Sequence, residues 1–495
     1  MTAGDWGAAA PILALLGAAF LAVACDLFYP RSRERGATEL IVYGGLIAAM
    51  IFSWTLKGGV AFNGALVADN LSRFVTMAVL VATMLAAIAS ADALGARRVL
   101  LPEFYALLLS AAAGMILLAM SHDLITMFLS VEILSLALYV LCGITRTDPR
   151  ANESAMKYFV LGAFATGFLL YGMTLLYGAS GSVFLEGMAL KLAGPPSGMV
   201  LAGIGLLLAG FAFKIGAAPF HMWVPDVYEG APTPVTAFMS VAVKTAALGA
   251  LARLLVSGLP GQEEGWGPLI GGIAALTMIV GNLGALAQKS VKRMLAWSSV
   301  AHAGYALIGL AVAAGGTDGR IASADGPAAT LFYAAAYTVM TLGAFLFLMF
   351  AGKGPTAASP GREAETFDDL NGLAQRRPWA AAMMTALVVS LAGIPPTAGF
   401  FGKFMLFRAA VEADQAILAI LAVVTTVISA GYYLRVIVAM YMKDAPSEVN
   451  SEEGPGKPDL SAGLAVAVSA ALTIYLGLMP GSVLDWAREA ITALL

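Results

Sequence analysis

Residues 206–250 read LLLAGFAFKIGAAPFHMWVPDVYEGAPTPVTAFMSVAVKTAALGA: two apolar runs, each holding one lysine, joined by a segment dense in glycine and proline. Lys214 is followed at once by Ile215-Gly216-Ala217-Ala218-Pro219. Proline removes a backbone donor and clashes with the preceding turn, so the helix is expected to break just past the lysine. A second stretch has the same ingredients in the other order. Gly393-Ile394-Pro395-Pro396-Thr397-Ala398-Gly399 comes first, and Lys403 follows the break. Interrupted helices leave backbone groups open, which is tolerated at membrane depth only where protein or water covers them. Paired interruptions in corresponding positions of two halves point to an inverted-repeat transporter. Two unrelated proline kinks are the plainer alternative.

Outward from these breaks the chain reads as an all-α membrane protein. Of its 495 residues 60% are hydrophobic and only 12% charged, against about 25% charged in soluble domains. Apolar runs long enough to cross a bilayer recur throughout. They place about fourteen spans at roughly 8–28, 38–57, 71–91, 103–121, 123–144, 152–179, 198–220, 232–258, 266–288, 291–313, 327–351, 378–406, 413–443 and 459–480. Residues 481–495 are too short and amphipathic to span and are expected in the interface. Asp5 and the lack of a basic n-region make 8–28 a retained first span. The expected units are 1–102 with three spans, 103–258 and 259–443 as five-helix repeats of opposite sense, and 444–495 as a last span plus the interfacial segment. A weak internal match supports the repeats: Met156-Lys157-Tyr158-Phe159 and Val291-Lys292-Arg293-Met294 each open a span after a short loop.

The loops vote on orientation. With the N-terminus outside, sixteen basic residues fall on the inward side: Arg31, Arg33, Arg35, Arg97, Arg98, Arg146, Arg150, Lys289, Lys292, Arg293, Lys353, Arg362, Arg376, Arg377, Lys443 and Lys457. Seven fall outward: Lys57, Arg73, Lys191, Arg253, Arg320, Arg408 and Arg488. The positive-inside rule then puts both termini outside the cytoplasm. Lys157, Lys214, Lys244, Lys403 and Arg435 remain inside spans, with Glu132 and His302. A charge at the membrane centre costs about 2.5–3.5 kcal/mol on insertion scales, so such residues are functional candidates by default. At about 1.5 Å per residue, Glu132 lies roughly 13 Å, His302 roughly 16 Å and Lys244 roughly 18 Å into their spans. Arg435 and Lys157 are close enough to the inner ends to snorkel. Structural ion pairs are the alternative, but Glu132 is the one acid at depth and the lysines outnumber it. A lysine poised between desolvation and a nearby carboxylate can take up and release protons. Cys25, Cys142 and three histidines are too few for an iron–sulfur, zinc or haem site, and no nucleotide fingerprint follows a strand. The chain is therefore expected to bind no cofactor and no nucleic acid.

The run from Phe213 to Val235, above all Pro225-Asp226-Val227-Tyr228-Glu229-Gly230-Ala231-Pro232, resembles the signature of the antiporter-like subunits of respiratory complex I. These in turn are similar to subunits of Mrp-type cation/proton antiporters. Within the family the chain looks like the N-type branch, since L- and M-type relatives usually carry Ala-His in place of Val227-Tyr228. Lys403 also fits that branch, because the M type tends to have glutamate there. The resemblance implies a proton relay through Glu132 (partner of Lys214), Lys214, Lys244, His302 and Lys403. Lys157 and Lys292 match positive positions at the start of their helices, and Pro219, Pro395, Pro396 and Asp226 support the breaks. It implies partners too: antiporter-like subunits M and L, small subunits K, J and A, and the bilayer. FMN, iron–sulfur clusters and quinone would belong to other subunits of a proton-translocating NADH:quinone oxidoreductase in a bacterial inner membrane. An Mrp-type Na⁺/H⁺ antiporter subunit and a non-pumping scaffold of the membrane arm stay open as alternatives.

Overall fold

The computed structural model describes all residues except 1, 29–34, 56–57, 97–98, 100, 315–323, 353–362 and 445–458. Nine of the loop cations counted above (Arg31, Arg33, Lys57, Arg97, Arg98, Arg320, Lys353, Arg362 and Lys457) therefore lie outside the described residues. Three helices come first: α1 (Ala3–Phe28), α2 (Arg35–Thr55) and α3 (Asn70–Ala96). Then follow α4 (Leu101–Met120), α5 (Leu124–Cys142), α6 (Pro149–Ser180), α7 (Leu185–Lys191), α8 (Gly198–Ile215), α9 (Val224–Gly230) and α10 (Thr233–Arg253). The next group is α11 (Glu263–Leu286), α12 (Val291–Val312), α13 (Asp325–Ala351), α14 (Leu373–Arg376), α15 (Pro378–Ala392), α16 (Ala398–Glu412) and α17 (Ala416–Met442), and α18 (Leu460–Leu478) and α19 (Gly481–Thr492) close the chain. Thirteen helices among the described residues are long and apolar enough to span. The fourteenth crossing is the interrupted pair α15 and α16.

Local chemistry sets the helix ends. Asp123 accepts from the amides of Ile125 and Thr126 to start α5, and Ser290 accepts from Arg293 to start α12. Such caps satisfy donors that the first turn leaves open. Two small features were not read in the sequence. A hairpin pairs β1 (Gly59–Ala61) with β2 (Leu66–Ala68), turning through Asn63 and Gly64 at positive φ. The Asn-Gly pair was its signal. The helix α7 lies in a loop between spans and is too short for a periodicity reading.

The two five-helix repeats run in opposite senses, and each holds one interrupted helix. We call the end carrying Arg146, Arg150, Lys289 and Arg293 the basic end. The helix α8 approaches that end, stops at Ile215 and resumes only at Val224, so the expected span 198–220 stops five residues early. The helix α15 leaves the basic end, stops at Ala392 and resumes at Ala398. In each case the residue after the stop is glycine in the left-handed region, Gly216 at φ 75° and Gly393 at φ 83°. There its amide closes onto the last carbonyls. At the centre, every residue of α10 is buried. Large apolar side chains of α2, α6 and α17, such as Leu40, Phe164 and Ile417, face outward. The amphipathic α19 packs Trp486 edge-on against Trp54 and Phe74.

Candidate functional site

Lys214, in the last turn of α8, is 4% exposed. Its ammonium donates to the Ser135 hydroxyl of α5 at 2.7 Å. The rings of Tyr139, Tyr158 and Phe213 surround it at 5.6–5.8 Å, within cation–π range. Glu132 lies one turn before Ser135 on α5. Its Oε1 is buried without a protein hydrogen-bond partner, and no Glu132–Lys214 ion pair within 4 Å occurs among the described residues. The hydroxyl that meets the ammonium belongs to Ser135, one turn from Glu132 on the same helix.

Lys244 donates to the carbonyl and to the hydroxyl of Ser299 on α12, the latter at 2.6 Å. Tyr337 of α13 donates to the same hydroxyl at 2.8 Å. His302, one turn beyond Ser299, is held between two phenols: Nδ1 meets Tyr333 at 2.5 Å and Nε2 meets Tyr433 at 2.9 Å. Neutral imidazole has one donor and one acceptor nitrogen, so one phenol donates and the other accepts. Tyr433 also bonds the Ser298 hydroxyl. The ring of Tyr305 stands 5.8 Å from that of His302, and the Lys403 ammonium lies 4.8 Å over it. Lys403 donates to the carbonyls of Leu391 and Ala392 at 3.0 and 3.3 Å.

The buried groups therefore form a connected series. A Cβ on Gly216 would sit 3.8 Å from the Lys244 ammonium, which brings the first break against the second lysine. From there hydrogen bonds join Lys244, Ser299 and Tyr337, and ring proximities of 5.2 and 5.8 Å lead through His302 to Tyr305, over which Lys403 stands. Ser135, Ser299, Tyr305, Tyr333, Tyr337 and Tyr433 were not singled out from sequence. Their signal was present: Ser299, His302 and Tyr305 recur at helical spacing on α12, and Tyr333 and Tyr337 on α13.

Three further cations of the spanning helices lie off this series. Lys157 is not on this axis; its side chain is 41% exposed and pairs with Glu153 at 2.7 Å and Asp226 at 2.9 Å. A long side chain near a helix end reaches the surface charges instead of the interior. Lys292 is buried but donates to the Ala231 carbonyl at 3.0 Å and faces Glu363 at 3.6 Å. Arg435 donates to the carbonyls of Leu286 and Gln288 at 3.0 Å, capping α11. At the opposite end Arg253, read as a loop cation, is fully buried and grips Asp69 with two bonds of 2.7 and 2.8 Å. Burial pushes the Asp69 carboxyl up, but the Arg253 fork outweighs it and holds the group below its ordinary value. Asp226 behaves likewise under Lys157 and Arg293. Pro219, Pro395 and Pro396 sit in the two breaks, at the cis peptides Ala218–Pro219 and Pro395–Pro396.

Residues 121–429 match the family described as NADH:quinone oxidoreductase/Mrp antiporter, transmembrane. NADH-quinone oxidoreductase subunit N of Trichlorobacter lovleyi is 42% identical over 487 residues, covering 97% of this chain and 95% of that one. Among solved structures, a chain of respiratory complex I from Thermus thermophilus with bound aureothin is 34% identical with a TM-score of 0.77, covering 96% and 98% of the two chains. A chain of the Mrp complex from Dietzia sp. DQ12-45-1b superposes with a TM-score of 0.82 over 100% and 98%, at 22% identity. That last likeness concerns the fold.

Proposed function

Because the chain belongs to the NADH:quinone oxidoreductase/Mrp antiporter membrane family, we propose that it moves protons along the buried series as a membrane-arm subunit of NADH:quinone oxidoreductase. The observation that supports the reading is the line of buried side chains from Lys244 to Lys403, with Gly216 of the first break against Lys244 and with ammonium groups held by hydroxyls and carbonyls rather than by carboxylates. Each lysine has a neutral partner that tolerates either protonation state. A proton on Lys214 would be displaced toward Lys244 when the field of Glu132 weakens, since separating an opposite charge disfavours the charged form. Ser299 and Tyr337 would pass it on, His302 would exchange it between its two phenols, and Lys403 would release it. Sites this close titrate as a unit.

Redox chemistry belongs to partner subunits holding FMN, iron–sulfur clusters and quinone, and antiporter-like subunits M and L with small subunits K, J and A are the proposed neighbours. The loop charges favour uptake at the basic end, facing the cytoplasm of a bacterial inner membrane, with both termini on the far side. The repeat boundaries at 103–258 and 259–443 belong to the same proposal. The test is Lys244→Ala in the assembled complex in liposomes. Coupled proton uptake should collapse while the complex remains intact. Normal pumping by that variant would sink the relay, and Na⁺-dependent proton exchange without quinone reduction would move the same lysines to an antiporter.

A further inference from the structure

The motif Pro225-Asp226-Val227-Tyr228-Glu229-Gly230 is not on the buried series, yet its two acids centre a dense charge cluster. Asp226 accepts from Lys157 of α6 at 2.9 Å and from Arg293 of α12 at 2.8 Å. Glu229 accepts from Arg293 at 2.6 Å and faces Arg150 of α6 at 3.8 Å. Two further acids complete the surroundings: Glu153 on Lys157 and Glu365 on Arg150 at 3.2 Å. So α9, the short piece after the first break, is tied to one helix from each repeat. Steric fit supports the ties. A Cβ on Gly230 would strike the Ser154 hydroxyl and approach the Arg150 carbonyl to 2.7 Å, so α9 lies flat on α6. Between the charges is a half-open cleft of about 120 Å³, with polar walls and room for several waters.

The same segment walls the first lysine. Trp223, the residue before α9, donates its indole N–H to the Phe213 carbonyl at 3.1 Å. It stacks on Tyr158 with ring centres 4.4 Å apart. Tyr158 follows Lys157 in the chain and faces the Lys214 ammonium. A shift of α9 off its cations would carry Trp223 away from that stack and uncover Lys214 from the basic end. We propose that Asp226 is a positioning residue that keeps α9 seated over Lys214, so that the Lys157–Asp226–Arg293 clasp is the gate between the basic end and the relay. This rests on the proton relay proposed above. Neutralising Asp226 removes the acceptor that Lys157 and Arg293 share, leaving Lys157 to Glu153 and Arg293 to Glu229, so that α9 is held by Glu229 alone and less firmly.

The experiment uses the whole complex in liposomes with a pH-sensitive dye. Passive proton leak is read under an imposed potential without NADH, and protons moved per NADH are read during turnover. Asp226→Asn should raise the leak severalfold and lower the proton ratio, and Asp226→Glu should restore both. Adding Lys214→Met to Asp226→Asn should return the leak to the wild-type level, because the uncovered path ends at that lysine. Wild-type leak and ratio in Asp226→Asn would overturn the proposal, as would a leak that persists in the double variant. Should Asp226→Asn fail to assemble, Lys157→Gln loosens only one of the two ties and should show a smaller leak of the same Lys214 dependence. Lys244→Ala in parallel reports on the relay itself, so loss of the gate and loss of the relay are told apart.

Discussion

The two interrupted helices use one device and reach different electrostatics. Both stop at a left-handed glycine, both continue through a cis prolyl bond, and both present a buried lysine. At the second break Lys403 stands on the far half and reaches back to the terminal carbonyls of Leu391 and Ala392. Those carbonyls are open acceptors at the negative end of the helix dipole. The Lys403 ammonium is thus held by its own broken helix. At the first break Lys214 stands on the near half, its partner is the Ser135 hydroxyl of another helix, and Glu132 lies one turn away on that same helix. A site held by its own backbone keeps a constant field. A site held by a neighbour can be switched when the neighbour moves. The first break also has a longer connection, residues 216–223, which leads into the clasped α9, whereas the second has only 393–397.

The largest effect should come from removing either ammonium. Lys214→Ala and Lys403→Ala should each cut coupled pumping by roughly a hundredfold, the scale lost with a proton-transferring group, as measured by NADH-driven acidification of vesicles. Retained pumping in one of them would show that only one break lies on the path.

Next come the glycines. Gly216→Ala and Gly393→Ala force an alanine into the left-handed region, at about 1–2 kcal/mol each. The new methyls would also press on Val224 at 2.9 Å and on the Lys403 stem at 3.0 Å. Thermal unfolding in detergent should show both variants destabilised. Lys403 has a flexible stem and can yield, whereas the branched Val224 yields less, so Gly393→Ala should be the milder; the reverse order would contradict that difference.

Smaller still, Glu132→Gln should slow pumping severalfold, by removing the charge that acts on Lys214. It should leave the Lys403 end untouched, so combined with a milder change there, Lys403→Arg, the two losses should add. A non-additive loss of proton flux would mean that Glu132 serves both breaks.

The ion pair remote from both breaks supplies the control. Asp69 is held below its ordinary carboxyl value by Arg253. Its contribution is therefore complete above that ordinary value, near pH 4, and is lost as pH falls through the depressed one. Stability attributable to this pair should be flat across neutral pH and drop only in strong acid. Asp69→Asn should abolish that acid step, as followed by unfolding midpoints against pH.

Much of this was legible beforehand for a simple reason: a membrane protein writes its spans as apolar runs, and any lysine within one is conspicuous. The break after Lys214 followed from Gly216 and Pro219, and the break before Lys403 from Gly393, Pro395 and Pro396. The resemblance carried by residues 213–235 then named the family to which the chain belongs. The partners of those lysines were less legible. Serine and tyrosine are unremarkable in an apolar helix, so Ser135, Ser299, Tyr337 and Tyr433 attracted no notice. For Lys157 the sequence allowed snorkelling, but depth along a helix does not say which acids, here Glu153 and Asp226, a four-carbon stem will reach.

The sequence by itself determined the number of crossings, the two interruptions and the excess of buried bases over acids, because hydrophobic length and proline geometry act within one segment. Only the tertiary structure decided that Ser299 serves Lys244, that His302 lies between two phenols, that Lys403 folds back onto α15, and that Asp226 ties α6 to α12. Those contacts join residues tens to hundreds of positions apart, and a hydrogen bond depends on ångström distances that helix packing alone fixes.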